Sequence, residues 1–139
     1  MKVETVEIPG VESHPSDYWK IRALQIDGTS IAINALLEMA PGEFRKILKS
    51  IRLAAASRYV RSPNHVKRCG DPNYRDAYEF RAHRGNSRLM FFYDETDGNV
   101  IVCTNHLSKA SGNQNNAFKI CHDLCVYYRN LKDQKHSKK

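Results

Sequence analysis

Three stretches in the second half of the chain decide the fold: AYEFRAH at residues 77–83, RLMFFYD at 88–94 and VIVCTNHL at 100–107. The first alternates strictly, with Tyr78, Phe80 and Ala82 on one side and Glu79, Arg81 and His83 on the other. Such a period of two is typical of β-strands. RGNS at 84–87 and DGN at 97–99 are turn-forming segments between the stretches. The three stretches therefore predict a β-meander.

The chain before the meander predicts one strand and two helices. Residues 18–26 alternate, and residues 31–39 carry apolar side chains at helical spacing, with Thr29 or Ser30 as cap. Pro41 separates this helix from a second one, which is apolar at positions spaced three and four apart through residue 55. Residues 1–17 form an extension in which 3–8 could be a short edge strand. Together, 31–55 predict an antiparallel helical hairpin.

The remaining segments are less regular. Residues 57–76 hold two prolines, a glycine and many cations, so this segment is either functional or contains an unrecognised short strand. A last helix begins near residue 116 and runs to 131, followed by a solvated basic tail at 132–139. The order of elements predicts one α+β domain over 18–131. Its helices cover one face of a mostly antiparallel sheet and leave the other free for a ligand.

Charge and cysteine content limit the possible partners. The net charge is +7, which predicts an anionic partner such as nucleic acid, an acidic protein or a membrane surface. No apolar run is long enough to span a bilayer, no basic amphipathic helix has an aromatic face, and the amino terminus does not resemble a signal peptide. We expect a cytoplasmic protein that does not bind membranes. The cysteines lack C-x-x-C spacing, so we expect reduced, buried thiols and no metal or other cofactor; they are Cys69, Cys103, Cys121 and Cys125.

The first meander hairpin groups four ionisable side chains. A four-residue turn at 84–87 would pair His83 with Arg88 and Arg81 with Met90. Glu79, Arg81, His83 and Arg88 would then share one surface. This surface is either a phosphate-binding face or an ordinary solvated face with cross-strand ion pairs.

Two further groups of residues have a functional and a simpler interpretation. His106 and Lys109 stand where the last strand ends, from which they could reach over a sheet edge, or they are ordinary surface side chains. Four cations of the 57–76 segment are either generic phosphate contacts or solvating charges: Arg61, Lys67, Arg68 and Arg75.

Several motifs, in order, resemble a known family. DGTS at 27–30 before a helical hairpin, YEFR at 78–81 followed by Arg88 and an aromatic strand, and HLSKAS at 106–111 resemble the RelE/ParE toxin superfamily, specifically its HigB-like, phage-derived branch. The resemblance covers about residues 18–131. It implies a RelE-like fold, in which a small curved antiparallel sheet packs on an N-terminal αα-hairpin and a C-terminal helix. It also implies a cognate antitoxin protein as partner.

The resemblance implies one of two activities. Many members cut messenger RNA on the ribosome without a metal, and others, of the ParE type, inhibit DNA gyrase and cut nothing. By position, Arg81 and Arg88 match residues that contact the scissile phosphate, Lys109 matches the first basic residue of a late motif, and His106 lies near a catalytic histidine. Ala110 stands where a second basic residue is common, and this departure favours the inhibitor.

Metal-free RNA cleavage uses the ribose 2′-OH as nucleophile, and the candidate residues can be assigned to its steps. Arg81 and Arg88 would be electrostatic clamps, because arginine retains its proton. His106 or His83 could shuttle protons. Glu79 would be the base or would orient Arg81, and Lys109 would hold a phosphate or act as acid. The resemblance thus implies a toxin endoribonuclease, with a ParE-type inhibitor or a non-toxic nucleic-acid-binding domain as alternatives.

Overall fold

The computed structural model describes residues 2–59, 62–109 and 113–137, with side chains through residue 134. Its α+β class agrees with the prediction, with three α-helices and a six-stranded sheet. The elements are β1 (Val3–Val6), β2 (Lys20–Ile26), α1 (Ile31–Glu38), α2 (Pro41–Ala56), β3 (Val66–Arg68), a 3-10 turn (Pro72–Tyr74), β4 (Tyr78–Arg81), β5 (Ser87–Asp94), β6 (Val100–Ser108) and α3 (Gln114–Ser137).

The sheet is mixed and has the strand order β1-β2-β6-β5-β4-β3. β2 is parallel to β6, and every other neighbouring pair is antiparallel. The helical hairpin follows two strands, so it does not open the chain. The extension supplies edge strand β1, as predicted. The 57–76 segment supplies the opposite edge, β3, whose three residues are too few for an alternating pattern to reveal.

Local signals in the sequence set the bounds of the first two helices. The Ser30 hydroxyl accepts a hydrogen bond from the Ile33 amide at 3.2 Å and caps α1. Pro41 occupies the first turn of α2, where its missing N–H costs nothing. The apolar stripe of α2 includes Ile47 and Ile51, both fully buried against the sheet.

Helices cover both faces of the sheet, so the predicted free face is wrong. On one side, α1 and α2 enclose a core that includes Trp19, Phe80 and Phe91. On the other, α3 packs over Met90 and Phe92. Successive residues of β5 are therefore buried on opposite faces. A nearly continuous apolar run such as RLMFFYD is typical of a strand covered on both sides.

A polar cluster fastens α3 to the end of β5. Lys132 Nζ lies 2.7 Å from Asp94 Oδ2 and 2.8 Å from Asp97 Oδ2, and the Tyr128 hydroxyl donates to Asp94 at 2.8 Å. Burial alone would raise the pKa of Asp94, but the hydrogen bonds from Lys132, Thr96 and Tyr128 outweigh it and hold the pKa at about 2. The predicted basic tail at 132–139 is therefore α3 as far as Ser137.

All four cysteines are free and buried, as the sequence predicts. Burial raises the pKa of Cys103, of Cys125 and of Cys121, the last to about 12. Within the described ranges, no three His, Cys, Asp or Glu side chains are grouped so that they could hold a metal ion. None of the described helices combines the length and the apolar character needed to cross a membrane.

Candidate phosphate-binding site

The β4–β5 hairpin sets the geometry of the candidate site. Arg81 pairs with Arg88 and Glu79 with Met90, and the Ala82 amide donates to the Ser87 carbonyl at 3.0 Å. The turn therefore comprises residues 83–86. The predicted pairing is therefore wrong: the turn begins one residue earlier than the predicted 84–87, and Arg81 pairs with Arg88 rather than with Met90.

A contact from α2 explains where the turn falls. Glu43 Oε1 accepts a hydrogen bond from the Asn86 amide at 2.7 Å, and Lys46 Nζ donates to the Arg84 carbonyl at 3.2 Å. Arg84 takes a positive φ of 61°. The first turns of α2 thus hold the loop in one conformation, which local turn chemistry alone does not specify.

Glu79 is a completely buried carboxylate beside Arg81. Its Oε1 atom lies 3.5 Å from Arg81 Nε and accepts a hydrogen bond from Gln114 Nε2, at the start of α3, at 2.8 Å. Its Oε2 atom is buried and has no hydrogen-bond partner among the described residues. Buried carboxylates usually have both oxygens satisfied, so this one is an exception that calls for an explanation.

Arg88 faces the same side of the sheet as Arg81 and is only 5% exposed. Its Nη1 atom donates to the carbonyls of Ser87 at 2.9 Å and Gly85 at 3.2 Å. Burial lowers the pKa of Arg88, and the positive charge of Arg81 lowers it further. An arginine remains charged even so, and the two cations therefore repel each other. Their local field favours an anion.

The accessibility of this pair differs from the prediction. The two guanidinium groups share a face, as predicted, but it is the face that α3 covers rather than a helix-free one. Arg81 keeps 23% of its side chain exposed, and its Nη1 donates to the Pro63 carbonyl at 2.9 Å. Only Arg81 of the two thus presents substantial surface to solvent.

Two lysines lie at the rim of the cluster. Lys67 on β3 pairs with Glu79 and is exposed. Lys109 directly follows β6, is exposed, and its amide donates to the Asn86 carbonyl at 2.8 Å. We name Glu79, Arg81 and Arg88 the arginine–glutamate cluster, with Lys67 and Lys109 as its rim.

His106 lies on the opposite face of the sheet, so its predicted place beside the arginines is wrong. It pairs with Leu89, whereas Cys103 pairs with Phe91, so that Thr104 and Asn105 together oppose one residue of β5. This β-bulge reverses the alternation and turns His106 toward α1 and α2. There His106 Nε2 is buried without a described partner, and burial lowers the pKa of His106.

His83 lies beside a second histidine. Its ring centroid lies 5.4 Å from that of His65. Burial lowers the pKa of His65, and the positive charges of His83 and of Lys49 on α2 act in the same direction. His83 therefore belongs to a histidine pair near α2, and within the described residues the guanidinium hydrogen bonds of Arg81 and Arg88 go to backbone carbonyls rather than to His83.

The remaining predicted cations lie elsewhere. Arg68 and Arg75 border a groove at the other end of β4, where Arg68 lies 5.6 Å above the Tyr78 ring. Arg61 falls outside the described residues. Sequence reasoning missed Gln114, for which no local signal exists, and the tyrosines of that groove, whose positions in the sequence are far apart.

Comparison of the chain with protein-family models, with curated proteins and with solved structures finds no match. The chemistry of the site therefore rests on its own geometry. The arginine–glutamate cluster combines a proton acceptor with two fixed cations within one hairpin, which is a set of groups suited to a phosphodiester with an adjacent hydroxyl.

Proposed function

We propose that this chain is the toxin of a type II toxin–antitoxin system and an endoribonuclease that cuts messenger RNA without a metal. The observation that carries the proposal is the buried Glu79 carboxylate, with one free oxygen, beside Arg81 and its cross-strand partner Arg88. The resemblance of YEFR at 78–81 and of HLSKAS at 106–111 to RelE/ParE toxins supports the RelE-like fold and the toxin class.

The proposed reaction is an internal transfer at phosphorus. Glu79 Oε2 accepts the proton of the ribose 2′-OH, the 2′ oxygen attacks phosphorus, and the bond to the 5′ oxygen breaks. The products are a 2′,3′-cyclic phosphate and a 5′-hydroxyl. Arg81 and Arg88 stabilise the charge that develops on the non-bridging oxygens. Lys109, at the rim, is the candidate donor of the proton that the leaving 5′ oxygen needs.

Substrate access requires a local rearrangement. Glu79 has no exposed surface, and the side chain of Gln114, the first residue of α3, binds its Oε1 atom. RNA must displace this contact to reach the carboxylate. The terminal turn of a helix opens at low cost, because its amides lack intrahelical partners. In the proposed function, the first turn of α3 opens when the chain binds messenger RNA on the ribosome, in the cytoplasm. The cognate antitoxin would prevent this opening.

One observation favours a second candidate, a ParE-type inhibitor that binds DNA gyrase or another protein target and cuts nothing. His106 lies on the opposite face of the sheet and His83 contacts His65, so the cluster itself contains no side chain that ordinarily titrates near neutral pH. The nuclease must therefore rely on Glu79 and Lys109. A substitution that removes only the Glu79 charge separates the two candidates.

The test is induction of the wild-type chain and of Glu79→Gln in cells, with growth curves and mapping of transcript ends. The proposal predicts transcripts cut within codons and arrested growth for the wild type, and loss of both for Glu79→Gln. Glu12→Gln, on the exposed amino-terminal extension, is the matched control and should behave as wild type. Circular dichroism checks that each variant is folded.

Arrest that persists in Glu79→Gln without RNA cutting, together with DNA damage, would support the gyrase inhibitor and overturn the nuclease. Normal growth and intact transcripts on wild-type induction would overturn both toxins and leave a nucleic-acid-binding domain.

A further inference from the structure

A second candidate site lies at the end of the sheet where β3 and β5 finish and β4 begins. It is an open groove of about 370 Å³, a size at the small end of ligand-binding clefts. Three tyrosines and three arginines line it: Tyr59, Tyr78, Tyr93, Arg68, Arg75 and Arg129. Tyr78 is three residues from Arg81 along β4, or about 10 Å. The groove is thus distinct from the arginine–glutamate cluster.

The tyrosine rings form an aromatic platform. The ring centroids of Tyr78 and Tyr93 are 4.8 Å apart, and those of Tyr59 and Tyr93 are 5.8 Å apart, both with edge-to-face geometry. Tyr59 is 54% exposed. An exposed ring held by aromatic neighbours is a preformed surface on which a flat, apolar group can stack.

The platform is surrounded by cations. Arg58 lies 5.5 Å from the centroid of Tyr59, and Arg68 lies 5.6 Å from that of Tyr78. Arg75 is exposed beside them. Arginines next to an exposed aromatic ring can bind the phosphates that flank a stacked base.

Acidic residues also line the groove, and each one is engaged within the protein. Asp76 binds His122 at 2.7 Å and Arg129 at 3.4 Å. Asp94 binds Lys132, and Glu95 accepts a hydrogen bond from the Tyr59 hydroxyl at 3.2 Å. The Asp76 and Asp94 charges are thus balanced locally. Of the remaining charges that line the groove, Arg68 and Arg75 then outnumber the one acid, Glu95.

We propose that this groove binds an unpaired nucleotide of single-stranded RNA, with its base stacked on Tyr59 and its flanking phosphates held by Arg68 and Arg75. The choice of RNA over DNA rests on the proposed nuclease function. The stacking itself does not, because any single strand has exposed bases. The groove would bind the substrate strand at a nucleotide other than the one whose phosphodiester bond is cut.

The test measures RNA binding with all variants in the full-length Glu79→Gln chain, so that cleavage cannot consume the probe. The probe is a fluorescein-labelled single-stranded 10-mer of RNA, followed by fluorescence anisotropy. Tyr59→Ala should weaken binding roughly 5- to 150-fold, since stacking of one base contributes about 1–3 kcal/mol. Tyr59→Phe keeps the ring and should bind within about 2-fold of the parent, as should the control Tyr127→Ala on α3, outside the groove.

Two further readouts separate stacking from simple charge attraction. Trp19 is the only tryptophan, and its ring lies 4.5 Å from Tyr93 and 6.4 Å from Tyr59. Single-stranded RNA should therefore change its emission, and Tyr59→Ala should abolish the change. Arg75→Ala should reduce the slope of log K against log salt by about 0.7, as expected for one lost phosphate contact to a single strand.

If Tyr59→Ala binds the RNA as tightly as its parent, the groove is not the binding site. The proposal also fails if the parent binds a duplex of the same length as tightly as the single strand. These results are independent of catalysis. If Tyr59→Ala weakens binding while the wild-type chain cuts no RNA, the groove stands and the nuclease fails. If Tyr59→Ala binds normally while Glu79→Gln abolishes cutting, the nuclease stands and the groove fails.

Discussion

The cluster around Asp94 gives a quantitative prediction about how α3 is held on the sheet. Asp94 is 6% exposed and binds Lys132, Tyr128 and Thr96, and its pKa falls from the ordinary 3.8 to about 2. One pKa unit corresponds to about 1.4 kcal/mol, so the charged form of Asp94 contributes about 2 kcal/mol to folding. Asp94→Asn should remove this contribution at neutral pH.

The sign follows from the direction of the shift. Because the folded-state pKa is depressed, the contribution is complete above about pH 4 and is lost as the pH falls toward 2. In thermal unfolding followed by circular dichroism, Asp94→Asn should lower Tm by roughly 4–8 °C at pH 7, since 1 kcal/mol corresponds to about 2–4 °C for a domain of this size. The difference from wild type should shrink below pH 4.

Asp97→Asn is the matched control. Asp97 contacts the same lysine at 2.8 Å but has a side chain that is 59% exposed, and exposed ion pairs contribute about 0–1 kcal/mol. The Tm of the Asp97→Asn variant should stay within a few degrees of wild type. If Asp94→Asn leaves Tm unchanged at pH 7, or lowers it equally at pH 7 and pH 2, the charged contact is not what fastens α3.

Three further predictions test other contacts. Gly85→Ala should destabilise the fold by about 1–3 kcal/mol, because the added Cβ would clash with Glu43 Oε2, whose carboxylate binds the Asn86 amide, and would lie 3.1 Å from Ala82 Cβ. Unfolding curves equal to those of Gly42→Ala, where an added Cβ has no atom within 4 Å, would contradict this. The four buried thiols should resist a thiol reagent in native buffer and react in denaturant; rapid native labelling would refute the packing described above. Burial lowers the pKa of His106 below 6.5, so its ring should titrate below that pH in NMR spectra, and acid should cost stability there because the unfolded chain binds the proton first; a midpoint at or above 6.5 would contradict its burial.

Much of the fold follows from local patterns. The alternation in AYEFRAH placed Tyr78 and Phe80 on the core side and Glu79 and Arg81 on the other, and the structure agrees. Ser30 and Pro41 marked the helical hairpin to within a residue or two. These features are set by neighbours in sequence, through strand alternation, capping and proline geometry.

The arrangement around the arginines depends on contacts between distant residues. The hairpin register depends on Glu43, which lies 43 residues before the Asn86 amide that it binds. The face of His106 depends on a bulge at Thr104 and Asn105. Thr104 Oγ1 donates to Asn105 Oδ1 at 2.7 Å, and Asn105 Nδ2 donates to the Ala117 carbonyl on α3 at 3.1 Å. Strict alternation would have turned His106 toward Arg88.

The covering of the second face was within reach of the sequence. Met90 and Phe92 are as apolar as Leu89 and Phe91, so β5 carries no polar side for solvent. This face of the sheet is apolar where α3 covers it, at Met90 and Phe92, and charged next to Gln114, the first residue of α3, at Glu79 and Arg81.

The most direct test of the arginine–glutamate cluster is the chemical nature of the RNA ends that the induced wild-type chain produces. Attack by the 2′-OH with Glu79 as the base predicts one fragment with a 2′,3′-cyclic phosphate, or its 3′-phosphate hydrolysis product, and one with a 5′-hydroxyl. The Glu79→Gln variant should produce neither kind of end. Cut transcripts that instead carry 3′-hydroxyl and 5′-phosphate ends would contradict the account, because that outcome requires water rather than the ribose hydroxyl as the nucleophile.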